Sequence, residues 1–312
     1  MPQPTSLGDY ADFHRQSIAP DTREAFWLEQ ARAIDWHQAP QQACDYHNPP
    51  FARWFADGQL NLCHNAVDRH LAQRADQPAI IAVSTETNTE RVYTFAQLHE
   101  EVQRMAAVLQ SFGVGKGDRV QIYMPMIAEA AFAMLACVRL GAIHSVVFGG
   151  FASVSLASRI DDAQPKVVIS ADAGSRGGKA IAYKPLLDEA LQLAKHKPAA
   201  VLLVDRGLAP MPLQAGRDHL WSTLRTQPQF SEAKVPCTWL NSSDPSYILY
   251  TSGTTGKPKG VQRDTGGYAV ALASSMQHIF AGKAGQTFFT TSDIGWVVGH
   301  SYIIYGPLIG GM

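Results

Sequence analysis

Three glycines, four Ser or Thr hydroxyls and two lysines fall within eleven consecutive residues, Tyr250-Thr251-Ser252-Gly253-Thr254-Thr255-Gly256-Lys257-Pro258-Lys259-Gly260. The apolar run Tyr247-Ile248-Leu249-Tyr250 leads into them and reads as a buried strand. A strand ending in such a loop presents backbone N–H groups, hydroxyls and ammonium charge at one place, and glycine allows close backbone approach. That chemistry suits a polyphosphate. The spacing is not that of G-x-x-x-x-G-K-[ST]: Gly253 and Gly256 stand too close, and Pro258 follows Lys257 where a hydroxyl residue should open a helix. The plain alternative is a solvated turn, because Gly, Ser, Thr, Pro and Lys are ordinary loop residues.

Other segments carry possible chemistry with less specificity. Asp172-Ala173-Gly174-Ser175-Arg176-Gly177-Gly178-Lys179 reads, on its residues alone, as a solvated strand-to-helix loop. Arg176 brings a planar fork suited to phosphate. Trp296-Val297-Val298 supplies apolar bulk for a pocket wall or for ordinary core. His300, four residues on, reads as a packed histidine. Asp161-Asp162 reads as a solvated helix end, since adjacent helical residues point apart.

The elements that must position these residues alternate. Thr94-Phe95-Ala96-Gln97 is a capping box opening a helix to Leu109, and Gly113, Gly115 and Gly117 mark the connection after it. Strands are expected at 119–124, 143–148, 166–171 and 200–205, with helices at 127–140, 154–162 and 185–195. This order implies right-handed crossovers and a parallel sheet, whose ligands sit outside the strands' carboxyl ends. The segments after Phe148, Ala171 and Tyr250 all occupy such ends. Residues 206–244 show no firm periodicity and read as a surface excursion. The first sixty-odd residues are rich in aromatics, including Phe26, Trp27, Trp36, Trp54 and Phe55. They read as an extension anchored on the main body, with a capping box at Asp21–Glu24 before a helix over 25–34 and irregular chain elsewhere.

The loop at 250–260 resembles the signature loop of the adenylate-forming superfamily of acyl-CoA synthetases. Ser292-Asp293-Ile294-Gly295-Trp296-Val297-Val298-Gly299-His300-Ser301-Tyr302 is similar to the segment that shapes the acyl pocket in short-chain acid–CoA ligases. Tyr123-Met124-Pro125-Met126, Ser145–Phe151, Asn48–Phe55 and Asn61-Leu62-Cys63-His64-Asn65 resemble the acetyl- and propionyl-CoA synthetases, the propionyl side more than the acetyl. The likeness runs from about residue 10 to the last residue.

The resemblance implies an α/β large domain of the adenylate-forming type, with parallel-rich sheets flanked by helices. Residues 1–62 would be the N-terminal extension, and 63–312 part of an AMP-binding adenylation domain. It implies ATP, Mg²⁺ and CoA as reactants. Thr251, Ser252, Gly253, Thr254, Thr255, Gly256, Lys257, Lys259 and Gly260 would meet the ATP phosphates, with Thr251, Lys257 and Lys259 acting in catalysis. Phe148, Gly149, Gly150, Arg176 and Lys179 would meet CoA, though Lys179 stands where some relatives carry Arg. Trp296, Val297 and Val298 would wall the acyl pocket. Acetate-preferring relatives commonly carry Thr at the Val298 position, so the more apolar valine favours propionate.

Composition narrows the class. The chain is 46% hydrophobic and 17% charged with formal net charge -1, so no global basic field points to nucleic acid. The N-terminus lacks the unbroken apolar core of a signal peptide, and the run Ala130–Val138 is too short to span a bilayer. Cys44, Cys63, Cys137 and Cys237 are scattered and read as reduced thiols, which with the rest fits a cytoplasmic protein. No H-E-x-x-H or Cys/His cluster is visible, so no metal site within this chain is expected. By the family pattern, 312 residues stop inside the adenylation domain. The expectation is a chain without its adenine- and ribose-holding segments, acidic Mg²⁺ ligand and mobile C-terminal domain. It would be poorly soluble and weakly active or inactive, and its apolar tail 302–312 would lack neighbours. The competing functions are acetate activation, a non-catalytic CoA- or nucleotide-binding fragment, and a P-loop hydrolase with a helix starting at Lys257.

Overall fold

A computed structural model describes residues 7–251 and 258–312. The extension begins with α1 (Leu7–Ile18) and α2 (Arg23–Ala31), followed by the hairpin β1 (Cys44–Asn48) and β2 (Phe51–Trp54), then β3 (Gln59–Leu60) and α3 (Leu62–Ala66). A 3-10 turn and α4 (Leu71–Arg74) lead to a second hairpin, β4 (Pro78–Ser84) and β5 (Thr89–Thr94). From there helix and strand alternate: α5 (Phe95–Ser111), β6 (Arg119–Tyr123), α6 (Ala128–Arg139), β7 (Ile143–Val146), α7 (Ser153–Ala163) and β8 (Val167–Ala171). A small hairpin, β9 (Ala173–Arg176) and β10 (Lys179–Ala182), precedes α8 (Tyr183–Leu193) and β11 (Ala200–Val204). Short pieces β12 (Asp218–Leu220), α9 (Trp221–Leu224), α10 (Pro228–Ser231) and β13 (Leu240–Asn241) fill the excursion. Next come β14 (Pro245–Thr251), β15 (Lys259–Asp264) and α11 (Gly266–His278). The last residues hold α12 (Val297–Gly299), a π-helical turn at His300–Tyr305 and α13 (Gly306–Ile309).

The main sheet has seven strands in the order β12-β11-β8-β6-β7-β14-β15. All neighbours pair in parallel except β14 and β15, which form an antiparallel edge hairpin. Central strands are buried on both faces because helices cover both. Val120 and Ile122 face a core with α5 and α6, while Tyr123 and Val168 face α7 and α8. The chain moves from β6 to β7 on one side and from β7 to β8 on the other, so the crevice at the switch opens beside the carboxyl ends of β6, β7 and β8.

The alternating core follows the sequence closely. The Thr94 hydroxyl accepts from the Gln97 amide at 3.2 Å and the Gln97 side chain accepts from the Thr94 amide at 3.0 Å, which completes the box. Gly141 ends α6 with φ +70.

Four expectations need correction. The extension is not irregular outside one helix, because α1 and the β1–β2 hairpin order it. Asp21 is no cap: α2 starts after Thr22, whose hydroxyl donates to the Gln16 carbonyl, and Glu24 accepts from the Ala43 amide across the extension. Residues 206–244 are more than surface, since β12 closes one edge of the sheet and β13 pairs β3. The tail does find neighbours within the chain: Tyr305, Leu308, Ile309 and Met312 are buried, and the Leu308 carbonyl accepts from His70 at 2.8 Å. The extension is anchored as expected, with Phe13 against His278 at 4.7 Å and the His278 ring bonded to Gln30 at 3.0 Å.

Two measurements check these forces. Thr94→Ala removes a cap and should cost about 1 kcal/mol in chemical unfolding. Burial holds the His70 and His300 rings at a pKa of about 4 instead of 6.5, and pushes His144 down as well. Between those values the unfolded chain takes protons that the folded chain refuses. Stability should therefore be flat above pH 6.5 and fall as pH drops toward 4, by about 1.4 kcal/mol per pH unit for each such histidine. Chemical denaturation across this range should show the slope, and His300→Gln should lessen it.

Candidate active site

Parallel pairing brings the separated segments to one edge. Phe148 follows β7, Asp172 follows β8 and Thr251 ends β14. A cavity of about 260 Å³ lies there, lined by Pro125 and Met126 after β6, Phe148, Gly149 and Gly150 after β7, and Ser175 on β9. The far wall is Ser84, Thr85 and Glu86 at the tip of the β4–β5 hairpin, held by an ion pair from Arg206 to Glu86 at 2.5 Å.

The glycines here have structural reasons. A Cβ at Gly149 would stand 1.8 Å from the Tyr183 hydroxyl, and one at Gly174 would stand 2.3 Å from it. Tyr183 is thus wedged between the β7 loop and the β9 hairpin. Its ring stacks on Tyr123 at 4.7 Å, and the Tyr123 hydroxyl donates to the Phe151 carbonyl at 3.2 Å. Burial first, then the nearby acids Asp293 and Glu86, push the Tyr183 hydroxyl up to a pKa of about 12, so it stays neutral.

Trp296, Val297 and Val298 are exposed, not packed in the core. Their segment is fixed beside the β7 loop. A Cβ at Gly295 would lie 2.9 Å from the Phe148 Cα, and the Trp296 ring sits 5.8 Å from the Phe148 ring. Asp293 accepts from the Gly295 amide at 2.6 Å, and burial raises its carboxyl pKa. The residues expected to wall the acyl pocket and the glycines expected to meet CoA therefore adjoin. His300 is packed as expected, its ring 4.6 Å from Tyr247 and 5.2 Å from His144.

Arg176 and Lys179 are register partners across the two-residue turn Gly177-Gly178, whose φ values are +58 and +76. The segment is a tight hairpin, not a simple strand-to-helix loop. Lys179 is exposed. Asp172 at its base is buried and accepts from the Ala173 and Leu208 amides at 2.8 and 2.7 Å.

Thr251 and Lys259 are also register partners, both exposed, at the mouth of the β14–β15 hairpin, with Gly260 opposite Tyr250. Ser252, Gly253, Thr254, Thr255, Gly256 and Lys257 lie outside the described residues. The P-loop hydrolase reading, which needs a helix running on from Lys257, fails, because a strand opens at Lys259. Tyr250 is set by partners that the sequence did not connect to it. Its hydroxyl donates to Asp162 at 2.6 Å, and the Arg159 guanidinium lies over its ring at 5.4 Å. Burial first, then Asp162, raises the Tyr250 pKa. The pair Asp161-Asp162 is therefore not merely solvated: Asp161 also accepts from the Lys195 and His196 amides at 2.7 and 2.9 Å.

Residues 67–312 match the family model described as AMP-binding enzyme, and residues 10–66 match the acetyl-coenzyme A synthetase N-terminus. The chain belongs to the AMP-binding enzyme family. It is 61% identical over 303 residues to a propionate–CoA ligase of Escherichia coli (strain K12), covering 97% of this chain and 48% of that one. It is 47% identical over 290 residues to the human mitochondrial acyl-CoA synthetase short-chain family member 3, covering 92% and 42%. Among solved structures, an acetoacetyl-CoA synthetase from Streptomyces lividans superposes with a TM-score of 0.87 at 27% identity, covering 99% of this chain and 46% of the other. The chain spans about half the length of the curated relatives it matches. Within this AMP-binding fold, Tyr183, Arg159 and Glu86 escaped the sequence reading, which also missed the bond from Tyr250 to Asp162. Each acts on a partner distant in sequence, and no local spacing marks it.

Gly149→Ala should destabilise the protein by about 1–3 kcal/mol in thermal or chemical unfolding, because a rigid ring stands in the added atom's place. Pairing it with Tyr183→Leu should cost less than the two single changes summed, since the hydroxyl and ring edge are then gone.

Proposed function

We propose that the protein containing this chain activates a short-chain carboxylic acid with ATP and passes the acyl group to CoA. The reading rests above all on one juxtaposition: the exposed Thr251–Lys259 hairpin mouth and the cavity behind Phe148-Gly149-Gly150 open on the same edge of one parallel sheet. In the first half-reaction a carboxylate oxygen attacks the α-phosphorus of ATP, taken as its Mg²⁺ complex. The bond to pyrophosphate breaks. Thr251, Lys259 and the intervening loop, with Lys257, would donate to the departing phosphates, where pre-aligned donors and positive charge stabilise developing negative charge. In the second, the CoA sulfur attacks the acyl carbon and AMP leaves. Phe148, Gly149 and Gly150 would line the path of the thiol arm, and Arg176 with Lys179 would meet a CoA phosphate. Residues 1–62 serve as the extension and 63–312 as part of the adenylation domain, and the setting is cytoplasmic. Among the described residues, no helix is long and apolar enough to cross a membrane.

Propionate is the favoured acid. Trp296, Val297 and Val298 present an exposed apolar wall beside the β7 loop, and valine there leaves no hydroxyl to favour a smaller, wetter acid. One methylene in an apolar pocket separates substrates by about 1–3 kcal/mol. Pyrophosphate release by the full-length protein should therefore show kcat/KM for propionate at least about tenfold above that for acetate. Val298→Thr should narrow the ratio. A higher kcat/KM for acetate overturns the preference, and CoA binding without any acid-dependent pyrophosphate release overturns the catalytic reading.

A further inference from the structure

Cys63 and Cys237 are far apart in sequence, and neither was expected to share a site. The fold brings them together. Their sulfurs and an Asp68 oxygen all lie within 4.8 Å of one another. The Cys63 and Cys237 sulfurs stand 3.9 and 3.7 Å from Asp68 Oδ2. The meeting is built into the backbone. Asn61 caps α3 through the His64 amide at 3.0 Å, and its side-chain amide donates to the Thr238 carbonyl at 2.8 Å. The Thr238 amide in turn donates to the Arg139 carbonyl at 2.8 Å. One thiol therefore sits two residues from Asn61, and the other is the neighbour of Thr238.

A thiol pair with a carboxylate could hold a soft metal ion, but a cation already stands there. Arg139 is buried and binds both Asp68 oxygens at 2.8 and 2.9 Å, and its Nη1 donates to Cys63 at 3.6 Å. A metal would need both thiolates at once, and the Cys63 neighbour and burial raise the Cys237 pKa. A disulfide carries no charge, so the buried site favours it over a metal.

We propose that Cys63 and Cys237 form a reversible disulfide when the protein meets a peroxide, joining α3 to the segment before β13. Cys237 is the half-buried member, and Cys63 is fully buried. Cys237 passes its proton to Asp68 Oδ2, 3.7 Å away, as its sulfur attacks one peroxide oxygen; the O–O bond breaks, and the departing hydroxide takes that proton and leaves as water, giving a sulfenic acid. The Cys63 thiolate, beside the Arg139 guanidinium, attacks that sulfur. The S–S bond forms, the S–O bond breaks, and hydroxide takes a proton to leave as a second water. Two sulfurs each lose one electron and the two peroxide oxygens each gain one. A dithiol reverses the step.

The full-length protein, reduced and then titrated with hydrogen peroxide, is alkylated and digested without reductant. A peptide linking Cys63 to Cys237 should appear, vanish on treatment with dithiothreitol, and be absent in Cys237→Ser. Cys137, fully buried, reports folding by staying unalkylated until denaturant is added. Separate alkylation of Cys63 and Cys237 after peroxide, or Cys237 carried to sulfinic acid without the link, overturns the proposal. So does one zinc ion per chain that blocks alkylation in the wild type and is lost in Cys237→Ser.

Discussion

Strand direction is the constraint from which the site follows. β6, β7, β8 and β14 run the same way, so their carboxyl ends converge on one edge whatever the loops contain. Residues spread from Met126 to Thr251 become neighbours through backbone pairing, not through affinity for one another. The single reversal, β15, turns the lysine-bearing loop into a hairpin whose far end is stitched to the same sheet. Crossovers with helices on both faces leave that edge as the natural opening.

Close packing then decides how loosely the edge can be arranged. Tyr183 leaves no space for a Cβ at Gly149 or Gly174, and the Phe148 backbone leaves little at Gly295. These contacts join the β7 loop, the β9 hairpin and the 293–298 segment into one wall. Two acids, Asp172 buried and Asp162 exposed, fasten the outer pieces. Asp172 holds the hairpin base through two amides, and Asp162 holds the Tyr250 hydroxyl where β14 ends. Binding groups carried on such supports keep their geometry better than groups on free loops.

The sequence disclosed what is periodic or locally bonded. The capping box at Thr94, the stop at Gly141 and the alternation from 95 to 205 are short-range signals, and the observed elements follow them to within a few residues. The placement of three loop segments on one sheet edge was legible because parallel topology makes strand ends predictable. What stayed hidden depends on long-range partners. Nothing near Asp162 announces Tyr250, nothing near Cys63 announces Cys237, and the hairpin at 173–182 is too short to show a pattern. The extension misled because its order comes from aromatic contacts such as Trp27 with Trp54 at 5.7 Å, and not from helical repetition. The tail misled because an apolar stretch does not say which surface will cover it.

The register of the edge hairpin has an energetic corollary. Thr251 and Lys259 are paired across adjacent strands, so the ends of the segment between them stand about 4.8 Å apart before any nucleotide arrives. Closing a free loop costs entropy that grows with the logarithm of its length. Here the sheet has met that cost during folding. On the proposed reading, phosphates held at Thr251 and Lys259 would meet a hairpin mouth whose closure is already made.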